Sequence, residues 1–180
     1  MHIKELKQVY GEEQIQSRVA ELAAEISTLY DGEALVVVCV LKGGFMFCSD
    51  LTRRLAGPQV EVDFVRLASY GSSTTSSRTV SFVKDVELSL AGKHVLVVED
   101  IIDTGHTMDF LLRQFAARGA KSLRLAVMLD KQERREVPVN ADFIGFALPG
   151  GFIVGYGLDY AERYRELPAI FEIIPDYYVA

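Results

Sequence analysis

The chain reads as an open parallel α/β sheet flanked by helices, and three observations predict it. ALVVVCVL at 34–41, VLVV at 95–98 and residues 123–129 (LRLAVML, broken only by Arg124) are apolar runs, the pattern of strands buried on both faces. The segments between them carry apolar residues at helical spacing. Each run also ends abruptly in charge or glycine, at the sheet edge where open α/β folds place their ligands. With 180 residues, 49% of them hydrophobic, the chain is long enough for one domain with a full core. A net charge of −6, with Lys and Arg in no run longer than two, argues against a nucleic-acid partner. No apolar run is long enough to span a bilayer and the first ten residues lack a signal-peptide core, so a cytoplasmic protein without membrane contact is expected. Cys39 and Cys48 lie in apolar surroundings and read as buried free thiols. His2, His94 and His106 show no ligand spacing, which argues against zinc.

Taken in order, residues 12–30 place Ile15, Val19, Leu22, Ala23 and Ile26 on one helical face. The strand at 34–41 stops at Lys42-Gly43-Gly44, and helical spacing resumes through Phe47, Leu51 and Leu55 up to Gly57-Pro58. Two glycines let the backbone approach a ligand closely and Lys42 adds a positive charge, although a plain chain reversal stays open there. Residues 60–70 alternate, with Val60, Val62 and Phe64 against Glu61 and Asp63, so a strand with one wetter face is expected. The hydroxyl-rich stretch 69–81 cannot bury enough apolar area to fold alone and fits either an ordinary loop or a lid.

The stretch HVLVVEDIIDTGHT at 94–107 organises the rest. A buried strand runs into two adjacent carboxylates, Glu99 and Asp100, then a third, Asp103, before Thr104-Gly105-His106-Thr107. A helix with Met108, Leu111, Leu112 and Phe115 on one face follows. Small residues before a helix N-terminus make a phosphate cradle. Three acids beside it make sense when the ligand also brings sugar hydroxyls or a divalent cation. A carboxylate-capped helix after a core strand is the plainer alternative. Gly119 is placed to end this helix, and the strand at 123–129 ends in Asp130-Lys131, with Arg134 and Arg135 behind it. Short strands at 142–146 and 152–155 flank Pro149-Gly150-Gly151, and a last strand is expected at 171–174.

At residues 95–107 the chain resembles the phosphoribosyl-pyrophosphate (PRPP) signature of type I phosphoribosyltransferases: an apolar strand, two acids, two aliphatics, then Asp-Thr-Gly-x-Thr. Leu41-Lys42-Gly43-Gly44 resembles the pyrophosphate loop of the purine members, in which the peptide before the lysine is cis. Residues 143–160 resemble the C-terminal part of hypoxanthine-guanine phosphoribosyltransferases. The resemblance spans nearly the whole chain. It implies a single phosphoribosyltransferase domain over 1–180: a mostly parallel twisted sheet at about 10–145, and a small hood mainly from 146–180 with some N-terminal residues.

The same resemblance implies transfer of the phosphoribosyl group from PRPP to hypoxanthine or guanine, with Mg²⁺, in a homodimer or homotetramer. Glu99 and Asp100 would hold the ribose hydroxyls and metal waters, and residues 103–107 (Asp103, Thr104, Gly105, His106, Thr107) would wrap the 5′-phosphate. Lys42 and Gly43 would take the pyrophosphate, helped by Arg165, with Arg135 supporting near that side. Asp159 would bind a second Mg²⁺, Phe152 would stack on the purine, the Ile153 backbone would bond its edge, and Lys131 would donate to the 6-oxo group. Ser69 and Tyr70 would begin a lid. Asp103, inside the phosphate loop, is expected to point at the purine and act as the catalytic acid–base, with capping of the following helix as the alternative. His106 fills a variable signature position, and no charge precedes Phe152, which bears on purine preference. Two other classes compete: a nucleic-acid-binding regulator, which needs a basic surface, and an adenine or pyrimidine enzyme. Lys131 opposes adenine, whose 6-amino group is itself a donor.

Overall fold

The computed structural model describes residues 3–70 and 79–175. Its main sheet is built from β2 (Ala34–Leu41), β3 (Gln59–Tyr70), β4 (Thr79–Lys84), β5 (His94–Ile102), β6 (Ser122–Lys131) and β7 (Phe143–Leu148), in the order β4-β3-β2-β5-β6-β7. All neighbours are parallel except the β3–β4 pair. The lid reading falls, for residues 71–78, outside the described residues; Ser69 pairs with Val80 beside that stretch.

Alternation along the central strands splits the core into two layers. Val37, Cys39, Leu96 and Val98 face the layer made with α1 (Glu12–Leu29) and α2 (Phe45–Thr52), packing on Ile15, Leu22, Phe47 and Leu51. Val36, Val38, Val95 and Val97 face the other layer, with Leu111 and Phe115 of α3 (His106–Ala116). Both faces of these strands are covered, which is why their sequence is continuously apolar. Each such side chain stabilises the fold by roughly 1.5–3 kcal/mol through burial. No helix among the described residues is long and apolar enough to cross a membrane, and both cysteines are buried free thiols.

Two expectations need correction, and a third gains detail. The expected strand at 95–98 extends through the acid pair to Ile102, because β6 continues to pair with it as far as Ile102↔Asp130. Glu99 therefore lies within a strand and is buried. In β3 the wetter face is the opposite of the one expected. Val62 and Phe64 are 42% and 40% exposed, while Asp63 is 5% exposed. Asp63 accepts backbone N–H bonds from Phe64, Glu87 and Leu88 at 2.7, 2.6 and 2.8 Å and faces Lys84 at 3.5 Å, so its burial is compensated. Finally, the N-terminal segment forms an entire strand, β1 (Ile3–Tyr10). It pairs antiparallel with β9 (Ile170–Pro175), which also holds β8 (Ile153–Val154). These three strands make the hood.

Candidate active site

Register brings the strand ends together. Cys39↔Val98 pairing sets the loop after β2 beside Glu99 and Asp100, and Ile102↔Asp130 sets Asp103 beside Lys131. Lys131↔Leu148 sets the 149–152 loop next to Lys131. The backbone around Gly43 packs directly on Asp100: a Cβ there would lie 1.5 Å from Asp100 Oδ2, so only glycine fits. The Leu41–Lys42 peptide is cis, as the resemblance implies.

The 103–107 loop is held from behind. Gly105 takes φ +92, and a Cβ on it would meet the Val137 carbonyl oxygen at 2.3 Å. Glu136 and Val137 donate their N–H groups to Thr104 O at 2.9 and 3.0 Å. Arg135 bonds the carbonyls of Asp103 (2.9 Å), Val139 (2.8 Å), Ile102 and Lys131 (both 3.3 Å), and pairs with Asp130. Its guanidinium is committed to the underside of this loop, so the expectation that it supports the pyrophosphate side is corrected. Thr104, Gly105 and Thr107 line a small hollow with Glu99, Asp103 and Met108, at the N-terminal end of α3. His106 turns to Glu136, Nε2 to Oε2 at 2.8 Å.

Asp103 does not cap α3, whose N-cap is Gly105 and which has no side-chain cap bond. Its Oδ2 lies 3.4 Å from an Arg134 nitrogen. Its Oδ1 is buried, has no hydrogen-bond partner, and lies 3.9 Å from Lys131 Nζ. Lys131, itself buried, donates to Gly151 O at 3.0 Å. Beyond it Phe152 is 49% exposed, its ring edge-on to Tyr160, while Ile153 is buried with its strand paired to Glu172. Burial first, and then the adjacent Asp100, raise the Glu99 carboxyl above the usual carboxylate range. No cluster of three or more His, Cys, Asp or Glu able to hold a metal exists among the described residues. A buried Glu99 beside the half-buried Asp100 suits a cation that arrives with a polyphosphate, since Mg²⁺ uses one or two carboxylates plus substrate oxygens.

The hood closes one flank. Tyr156 OH donates to Asp50 Oδ2 at 2.8 Å, and Gly157, at φ +98, packs where a Cβ would lie 2.1 Å from Gly43 O. Arg165 reaches Gly157 O at 2.8 Å and Asp159 Oδ1 at 2.7 Å. Glu162 touches both Lys42 and Arg165. The reading of the sequence missed Glu162 and the contact of Arg134 with Asp103. The mixed charges of DYAERYR were the available signal for the first, but they resemble any solvated turn.

The phosphoribosyl transferase domain model matches residues 5–161. A hypoxanthine-guanine phosphoribosyltransferase of Bacillus subtilis is 44% identical over 172 residues, 96% of this chain and 95% of that protein. The chain belongs to the hypoxanthine phosphoribosyltransferase family. A crystal structure of a family member from Bacillus anthracis superposes with a TM-score of 0.89 at 44% identity, covering 96% of this chain and 100% of that one. The chain also matches bifunctional TilS/HprT proteins of Listeria monocytogenes, 44% identical over 99% of this chain, and spans 27% of their length. The family's parallel sheet flanked by helices is the one found here.

Proposed function

We propose that the chain salvages purines, transferring the 5-phosphoribosyl group of PRPP to hypoxanthine, and to guanine, to give the nucleoside monophosphate and pyrophosphate. The observation that carries this reading is the facing of Asp103 Oδ1 and Lys131 Nζ at 3.9 Å, on strand ends flanked by the phosphate loop and the Lys42 loop. An unbonded carboxylate oxygen beside a buried ammonium matches a 6-oxopurine, which offers an acceptor at O6 and a proton at N7.

The loop 103–107 and the N-terminal end of α3 bind the 5′-phosphate, Glu99 and Asp100 take the ribose hydroxyls, and Lys42, the Gly43 backbone and Arg165 take the pyrophosphate. Phe152 stacks on the base, the Ile153 backbone bonds its edge and Lys131 donates to O6. As the bond from ribose C1 to pyrophosphate breaks and the base nitrogen bonds C1, Asp103 accepts the N7 proton. When bound, Mg²⁺ supplies Lewis-acid neutralisation of the departing pyrophosphate, with Glu99, Asp100 and Asp159 as the residues able to hold it or its waters. The mainly apolar hollow lined by Phe45, Cys48, Val62 and Phe64, with Ser49, Thr52 and Arg53 beside them, is the face through which copies of the chain would associate.

An absorbance assay of separate bases with PRPP and Mg²⁺ tests the reading. Turnover of hypoxanthine and guanine, with adenine and pyrimidines inert, is expected. Preferential use of adenine or a pyrimidine would overturn it.

A further inference from the structure

Glu162 has no part in the chemistry above, yet its carboxylate stands between the two cations assigned to the leaving group. Its Oε2 lies 3.0 Å from Lys42 Nζ and 3.1 Å from an Arg165 nitrogen, so one oxygen bridges both. Lys42 and Glu162 are far apart in sequence, one on the core sheet and one on the hood. A turn of left-handed residues, Ala161 at φ +53 and Glu162 at φ +64, presents the carboxylate there. The turn is braced by the Glu162 N–H, which donates to Asp159 Oδ2 at 2.8 Å, and by backbone pairing of Tyr160 with Arg163. Arg165 also holds Asp159 Oδ1 at 2.7 Å, while its Nε is buried without a partner.

The charges facing one another in this cluster, Lys42 and Arg165 against Asp159 and Glu162, cancel. Lys42 chiefly, and Arg165 next, hold the Glu162 carboxyl below its ordinary range, so it is anionic at neutral pH. A pyrophosphate entering beside an undisplaced Glu162 would bring like charges into contact. At 64% side-chain exposure, Glu162 has water to swing into.

We infer that Glu162 is an intramolecular surrogate for pyrophosphate: it holds Lys42 and Arg165 in the empty site, yields to PRPP, and re-forms its bridge as pyrophosphate departs. The inference rests on Lys42 and Arg165 being the pyrophosphate ligands. A bridge that is closed most of the time lowers apparent affinity in proportion to the open fraction.

Calorimetric titration of the full chain with magnesium pyrophosphate, and separately with the monophosphate product IMP, tests it. Glu162→Gln should tighten pyrophosphate binding about two- to fivefold, the scale of one exposed ion-pair bridge, and leave IMP affinity unchanged. The KM for PRPP should fall alongside without a rise in kcat. Unchanged or weaker pyrophosphate binding by Glu162→Gln, or an equal tightening of IMP, would overturn the inference. Lys42→Ala separates the two levels. If it binds pyrophosphate as the wild type does, the assignment of Lys42 fails and the surrogate role falls with it. If Lys42→Ala loses pyrophosphate while Glu162→Gln is unchanged, the surrogate role alone fails.

Discussion

Asp103→Asn isolates proton transfer from every other role the residue could have. The substitution keeps size and hydrogen-bonding shape but removes the ability to take a proton. No helix cap is lost, because α3 is capped at Gly105 without any side-chain bond. What the folded chain gives up is small: a 3.4 Å approach to Arg134, whose side chain is 60% exposed, and a 3.9 Å approach to Lys131 that is no hydrogen bond. The contact with exposed Arg134 amounts to less than about 1 kcal/mol, and the buried Lys131 ammonium keeps its bond to Gly151 O, so it is not left without a partner. The transition state gives up more, because the buried and unbonded Oδ1 is the only proposed acceptor for the N7 proton. General acid–base contributions of about 10²–10⁴ in rate correspond to about 2.7–5.4 kcal/mol. Initial rates of IMP formation at saturating substrates, beside thermal melts and PRPP titration, should give a kcat lower by that factor, a melting temperature within a few degrees, and intact PRPP binding. Near-normal turnover would remove Asp103 from the chemistry. A loss of activity that tracks a loss of stability would make it a structural residue.

Three further outcomes follow from the same geometry. Lys131→Ala should weaken hypoxanthine use by about 2–3 kcal/mol, roughly a 30- to 150-fold rise in KM, with PRPP affinity little changed; equal losses of both would assign Lys131 to phosphate binding or folding. Asp63→Asn should cost about 1.5–3 kcal/mol at neutral pH, because the carboxylate accepts three backbone N–H groups. Burial pushes the Asp63 carboxyl up, but the bonds from Leu88, Phe64 and Glu87 and the charge of Lys84 outweigh it and hold it below its ordinary value. Its contribution is therefore present above about pH 4, the unfolded value, and lost as pH falls through the folded one, so urea titrations of wild type and variant should converge in acid. A gap of the same size at both pH values would contradict this. Phe64→Lys should lower the molar mass measured by sedimentation, since it replaces an exposed ring of that hollow with a second cation beside Arg53; a wild-type chain that already sediments as a monomer would refute an interface there.

Much of this site is local in origin. The signature at 94–107 carries its own strand, turn and helix start, because aliphatic runs, a glycine at φ +92 and helical spacing act over a few residues. The same holds for Lys42-Gly43-Gly44, where a small residue is demanded by the approach of Asp100. Those pieces were legible in the sequence, and so was the α/β class, since strands covered on both faces must be apolar throughout. Other features have no local cause. Ile3–Tyr10 carries charges and no clean alternation, and is a strand only because β9 offers it a partner. Alternation in β3 established a period of two but not which face is covered, and a packed turn at 85–88 chose to bury Asp63 and leave Phe64 outside. Arg135 lies near the site in sequence, yet four carbonyls and Asp130 take its hydrogen bonds. Glu162 meets Lys42 only once the hood is folded over the sheet. Short-range sterics and periodic burial set which segments form the sheet and where the 103–107 loop lies. The tertiary structure decided which charges meet across it, because a partner for a polar group is chosen by long-range packing that no local pattern encodes.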